Sequence, residues 1–191
     1  MYVSSVPPEY MSEPLRQTWE QASEGGKKFI SAVAHAPEHA ERLFPYYNGI
    51  RYGTKIGPVL CELIRLAIAQ TTQCPICLQG RRDEAFDGGL TEAQIAVLAT
   101  TDRTAGLPPD QAAAVDFAYK FGSDHFAIGE AEFRALHAHF SEEEVVEIGM
   151  LCAQFLGFGR LVMVLGLENP SCSIPVAAAT SLTGAEAVVA H

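Results

Sequence analysis

Basic residues are scarce in this chain. Thirteen lysines and arginines stand against 23 aspartates and glutamates, giving a formal net charge of −10 at pH 7 and a pI near 5.0. Nucleic acid and anionic membrane surfaces both demand clustered positive charge, so neither is an expected partner. The close basic pairs Lys27-Lys28 and Arg81-Arg82 are too short to change that. Sustained two-residue alternation of apolar and polar residues is missing, so no strand is expected. There is no internal repeat, no phosphate-binding glycine loop, no dinucleotide fingerprint, and no second cysteine or histidine pair to complete a zinc site, so neither cofactor nor metal is expected. The opening MYVSSVPPEYMSEP lacks a basic start and an apolar core, so no secretory signal is expected. The longest apolar region, Val145 to Leu167, is interrupted by Glu147, Gln154 and Arg160 and reads as a buried helix rather than a membrane span. Five cysteines, an odd number, do not form a disulfide framework, and a cytoplasmic protein with reduced thiols is the default.

What is present is helical. The 191 residues, 48% of them apolar, suit one domain with a small extension. Residues 1–26 read as a loose leader and a short helix over 13–22, with Ser12 as N-cap and Gly25-Gly26 as a stop. Residues 27–168 read as a helical domain and 169–191 as a tail. Helices are expected over 27–35, broken by Pro37, then over 38–47, ending near Asn48-Gly49, then over 58–71. A further helix starts at Pro75, with Cys74 or a neighbour as N-cap, and runs to Gly88-Gly89. Thr91-Glu-Ala-Gln94 and Ser141-Glu-Glu-Glu144 are capping-box patterns opening helices over 92–100 and 142–166. Others are expected over 108–121 and 130–140. The last helix is apolar almost all round. Gly149, Ala153 and Gly157 fall four apart on it, a smooth strip suited to close approach by another helix and a sign of oligomerisation.

The chain is organised around the stretch from Cys61 to Leu90. It holds Glu62 on one helix, then Cys74 and Cys77 on the first turn of the next, then Arg81 a turn later. Two cysteines three apart at a helix N-terminus can close a disulfide with little movement, and the helix end favours a thiolate. A thiolate that attacks a peroxide or a disulfide needs a partner thiol to resolve it, and gains from a nearby base. Glu62 is the candidate base. The alternative is two core cysteines at a tight turn, since cysteine is among the most buried residue types.

The string ELIRLAIAQTTQCPICLQGRRDEAFDGGLTEAQIAVL resembles the core of the carboxymuconolactone decarboxylase / AhpD-like alkylhydroperoxidase family. That family's pattern is Glu, eleven residues, Cys-x-x-Cys, three residues, His; Glu62, Cys74 and Cys77 fit it. The resemblance extends upstream through SAVAHAPEHAERLFPYYNGI and downstream through FRALHAHFSEEEVVEIGMLCAQFLGFGRLVMVLGLE, covering about residues 29–168. It implies an all-α, AhpD-like helical bundle organised around the Glu62 helix and the Cys-x-x-Cys hairpin. It also implies a homo-oligomer, trimeric or hexameric, and in the redox branch a dithiol peroxidase with a Glu–His proton relay.

The sequence departs from the pattern at the histidine, where it carries Arg81. Arginine stays protonated and cannot shuttle a proton, but it can pair with Glu62 across the hairpin, stabilise a thiolate, or bind an anionic substrate. Among the histidines, His125 is the candidate for a pocket role because it sits in the loop SDHFAIG; His35, His39, His137 and His139 read as surface or satisfied core residues. Tyr46, Tyr47 and Tyr52, just before the Glu62 helix, are further pocket candidates. Cys61 and Cys152 read as structural, and Cys172 has no assignable role.

Three readings follow. In the first, Cys74 and Cys77 cycle between dithiol and disulfide, reduce hydroperoxides, and are recharged by a thiol reductant. The second is a decarboxylase-like lyase acting on a small carboxylated lactone or aromatic-derived acid, with Arg81 binding the carboxylate. The third is an oligomer that keeps the fold with impaired catalysis.

Overall fold

A computed structural model describes residues 2–167. Among these residues it holds ten α-helices and no strand. In chain order they are α1 (Glu13–Gln21), α2 (Glu24–Val33), α3 (Pro37–Tyr52), α4 (Gly57–Thr72), α5 (Pro75–Gln79), α6 (Asp83–Asp87), α7 (Glu92–Val97), α8 (Pro109–Ser123), α9 (Glu130–His137) and α10 (Glu142–Val164). The all-α expectation holds, and both capping boxes form: Thr91 with Gln94 at α7, Ser141 with Glu144 at α10.

The arrangement follows from α4. Every residue from Leu60 to Ala69 is buried, so this helix must be covered on all sides. Helix α8 packs along one flank and α10 along another, with α5 and α6 against the rest. Two glycines permit the tight fit at the C-terminal end of α4. A Cβ on Gly122 of α8 would collide with the Thr71 side chain, and one on Gly159 of α10 would sit 3.2 Å from the Thr72 hydroxyl. Helix α10 is long and apolar enough to cross a membrane by length and composition, but its Ile148, Leu151, Cys152 and Phe155 belong to the core built on α4.

A smaller core joins α1, α2 and α3 through Leu15, Ile30, Ala34, Ala40 and Phe44. It explains two departures from the expected boundaries. Gly25-Gly26 does not stop α1. That helix ends at Ala22, Ser23 caps α2 by accepting from the Gly26 amide, and the bare Gly25 lets α2 lie directly on Ile76. Likewise α3 runs through Pro45, Asn48 and Gly49 to Tyr52. Its Phe44 is held in the small core while Tyr47 and Ile50 pack on the main one, so tertiary contacts override the Asn-Gly break. The leader is pinned rather than loose: the Tyr2 amide donates to the Leu165 carbonyl at 3.0 Å and the Val6 amide to the Ser31 carbonyl at 2.9 Å. Helices α7 and α9 end about one turn earlier than expected.

The Gly149–Ala153–Gly157 strip faces outward. A Cβ on either glycine would meet nothing within 4 Å, so it is Gly159, not this strip, that receives a neighbouring helix of the same chain. The tail beyond Leu167, with Cys172, lies outside the described residues.

The two kinds of glycine predict opposite effects. Gly122→Ala should lower stability by about 1–3 kcal/mol through overpacking against Thr71. Gly157→Ala should raise it by up to about 1 kcal/mol through helix propensity. Urea unfolding midpoints at unchanged slope measure both.

Candidate active site

The site begins with two charges inside α4. Glu62 is completely buried and Arg65, one turn on, nearly so. They form a two-pronged pair: Arg65 Nε donates to Glu62 Oε2 at 2.7 Å and Nη2 to Oε1 at 2.6 Å. The guanidinium then reaches out of the helix. Nη1 donates to the Cys77 carbonyl and Nη2 also to the Gly80 carbonyl at 2.9 Å. Arg65 therefore ties the carboxylate to the C-terminal end of α5, the helix that carries the cysteines.

Arg81 works on the same helix end from outside. Its Nη1 donates to the carbonyls of Leu78 at 2.7 Å and Gly80 at 2.9 Å, and its Nε meets Glu92 Oε1 at 3.0 Å. Arg81 does not contact Glu62; its carboxylate partner is Glu92, and the partner of Glu62 is Arg65. The two arginines also explain why the expected helix over 75–89 breaks in two. They occupy the carbonyls of Cys77, Leu78 and Gly80, which a continuous helix would offer to amides four residues on. Gly80 turns out of helical geometry (φ −63°, ψ 143°), as does Arg82 (φ −115°, ψ 120°). That turn drives the Arg82 side chain inward.

The cysteines occupy the start of α5. Cys74 is its N-cap, and its sulfur accepts from the Cys77 amide at 3.4 Å; Pro75 holds the first helical position. The two sulfurs lie 2.8 Å apart and are not bonded to one another. A hydrogen bond from the Cys77 thiol, aided by the amides of the first turn, lowers the Cys74 pKa to about 7. The same contact, with burial, pushes the Cys77 thiol up. The pair thus gives up one proton readily and holds the second. Access runs the other way: Cys74 is sealed, and Cys77 is only partly buried. Cys61 and Cys152 are buried, and burial raises both their pKa values, as suits inert structural thiols.

Cys77 opens into a cavity of about 790 Å³ between the small core and the main one. Tyr47 lines it and accepts from Arg51 Nη1 at 3.0 Å. Tyr52 lines it as well, with the guanidinium carbons of Arg82 and Arg51 at 4.4 and 5.4 Å from its ring centre. Tyr46 does not: one residue from Tyr47 on α3, it points about 100° away and is half exposed. His125 is also outside. It sits on the single turn after α8, stacked on Phe126 with ring centres 4.1 Å apart and exposed. None of the remaining histidines among the described residues lines the cavity.

Sequence reasoning missed Arg51, Arg65 and Arg82. For Arg65 a signal existed: it stands three residues after Glu62, the spacing at which helical side chains meet. Arg51 and Arg82 converge only through the extended α3 and the break after α5.

An all-helical bundle with a Cys-x-x-Cys turn over a buried Glu–Arg pair is the class of protein this fold and site define. Its fold is that of the AhpD core. The chain is similar to the structure described as the alkylhydroperoxidase AhpD core, an uncharacterized peroxidase-related protein from Ralstonia eutropha JMP134 (TM-score 0.72, 21% identity, covering 89% of this chain and 93% of that one). It is also similar to a peroxidase-related protein from Silicibacter sp. TM1040 (TM-score 0.64, 18% identity, 87% and 93%). A third is a protein of unknown function from Agrobacterium tumefaciens (TM-score 0.61, 21% identity, 72% and 94%). The sequence pattern of the Carboxymuconolactone decarboxylase family matches residues 37–119, which bears out the family resemblance over α3 to α8. No curated protein matches the chain by sequence.

Removing one partner of the buried pair leaves the other charge uncompensated. Glu62→Gln should therefore cost about 3–5 kcal/mol of stability, against less than about 1 kcal/mol for Glu92→Gln at the exposed Arg81 pair. Denaturant titration of the two variants reads the difference.

Proposed function

We propose that the chain is a thiol peroxidase of the AhpD kind, in which Cys77 attacks a hydroperoxide and Cys74 resolves the product. The observation that carries this reading is the sulfur pair: 2.8 Å apart, one sulfur opening on a cavity, the other bearing the more stable thiolate. A proton passes from the Cys77 thiol to the Cys74 thiolate. The Cys77 thiolate then attacks the distal peroxide oxygen, the O–O bond breaks, and the leaving alkoxide takes a proton from solvent and departs as an alcohol. Cys77 is left as a sulfenic acid. Cys74 displaces its hydroxyl, which leaves as water, and a Cys74–Cys77 disulfide remains. Two equivalents of a thiol reductant restore the dithiol. Glu62 acts through Arg65 as a positioning residue, holding α5 and its sulfurs against α4. Arg81 holds the end of that helix in place and replaces the family's histidine in sequence only. The exposed Gly149–Gly157 strip supports assembly with further copies of the chain.

The cavity's arginines favour one second reading, a lyase acting on a small carboxylated substrate. Full activity of a Cys74→Ser, Cys77→Ser double variant toward such a substrate would establish it in place of the peroxidase.

Free-thiol titration with mass spectrometry tests the peroxidase directly. One equivalent of an organic hydroperoxide should remove two thiols quickly, mapped to a Cys74–Cys77 bond and reversed by dithiothreitol, while Cys61 and Cys152 stay reduced. Persistence of both thiols would sink the reading. The sign of the pH dependence follows from the lowered Cys74 pKa. Thiolate appears as pH rises through about 7, so the oxidation rate should climb through that value and level off above pH 8. Below pH 6 it should fall about tenfold per pH unit. An ordinary cysteine would instead titrate near 8.5.

A further inference from the structure

The cavity that holds Cys77 has a second chemical end that the thiol reaction does not use. Four arginines line it: Arg51, Arg65, Arg81 and Arg82. Three have carboxylate partners: Arg65 pairs with Glu62 and Arg81 with Glu92, while Arg82 makes a longer pair with Glu84 at 3.7 Å. Arg51 has no carboxylate partner among the described residues; Nη1 is spent on the Tyr47 hydroxyl, and Nε is buried without a hydrogen bond. Arg82 is 7% exposed. Its Nη1 donates to the Arg51 carbonyl at 3.1 Å and contacts the Cys61 sulfur at 3.6 Å. Its Nε is buried without a hydrogen bond, 3.7 Å from the largely exposed carboxylate of Glu84. The bond from Arg82 Nη1 to the Arg51 carbonyl and the shared Tyr52 ring hold the two guanidiniums together. Arg51 is left without a carboxylate and Arg82 with only a long pair to an exposed one, each with an unspent buried Nε, an arrangement that an anion bound between them would complete. The planar fork of arginine suits a carboxylate.

The opposite character is built into the wall that leads there. Phe44 packs edge-on to Phe29 with ring centres 6.3 Å apart, Phe29 to Phe158 at 5.7 Å, and Phe158 to Tyr47 at 5.7 Å. All four line the cavity, and the last ends in the hydroxyl that Arg51 holds. An aromatic ladder therefore runs directly up to a guanidinium.

We propose that the cavity binds an amphiphilic monocarboxylate, its carboxylate on Arg51 and Arg82 and its apolar body along the Phe44–Phe29–Phe158 ladder. Resting on the peroxidase reading, this makes the substrate an organic hydroperoxide that also carries a carboxylate, presented to Cys77 in the same cavity.

Binding is measured first, without peroxide, by isothermal titration calorimetry of the reduced full chain with octanoate, 1-octanol and acetate. Octanoate should bind at least about tenfold more tightly than either, because only it engages both ends. Arg51→Gln should weaken octanoate by about tenfold or more and leave 1-octanol unchanged, and Arg51→Lys should recover part of the loss. Equal affinity for octanoate and 1-octanol, or wild-type octanoate binding by a folded Arg51→Gln protein, would overturn the anion site. Acetate binding as tightly as octanoate would overturn the role of the ladder. Should Arg51→Gln not fold, the three-ligand comparison on the wild-type chain and Arg51→Lys still decides. The second arm compares kcat/KM for a fatty-acid hydroperoxide and its methyl ester. Reduction of neither refutes the peroxidase while leaving the binding result to stand. Equal reduction of both refutes the substrate class alone, and a preference of tenfold or more for the acid supports both.

Discussion

The ion pair of Glu62 and Arg65 is the constraint on which the rest of the site depends. Two opposite charges in the middle of a fully buried helix are tolerable only because they meet at two points and because Arg65 spends its further donors on the Cys77 and Gly80 carbonyls. The requirement to satisfy those donors puts the end of α5 where it is. It also takes away the carbonyls that would have continued the helix, and so turns Arg82 into the interior. A residue pair within one helix thereby sets the direction of the next segment and brings a third arginine to the cavity.

The cysteine pair divides two properties that a single reactive thiol would have to combine. Cys74 has the electrostatic support of a helix start and of its neighbour's thiol, but no access; Cys77 has access, but holds its proton more tightly. Under the proposed peroxidase reading, the proton need move only across this 2.8 Å contact for the accessible sulfur to become the nucleophile. On that reading a histidine one turn further on is not needed to carry the proton between them. That is consistent with an arginine at position 81 doing structural work at the end of α5 instead.

Much of this was readable from residue order because it is local. The apolar period of α4 and α10, the capping boxes at Thr91 and Ser141, and the proline at the first position of α5 act over four residues or fewer, so the helices they specify appear where the pattern puts them. The spacing from Glu62 to Cys74 and Cys77 carried the family resemblance for the same reason. Two of the misplaced boundaries share one cause. Gly25 and Gly49 are breakers by local propensity, and each is overruled by contacts with residues distant in sequence: Ile76 for Gly25, two separate cores for α3.

The sequence by itself determined an acidic, all-helical chain with a dithiol motif at a helix start and a carboxylate twelve residues before it. Only the tertiary structure decided which arginine that carboxylate holds, which sulfur meets the cavity, and that Arg51 and Arg82 share one aromatic ring at its charged end. The last of these turns on the Arg82 side chain meeting the Arg51 backbone carbonyl, 31 residues away in the chain, at 3.1 Å, a relation that no periodicity or spacing rule encodes. It arises only when α3 and the turn after α5 are packed against the same buried helix.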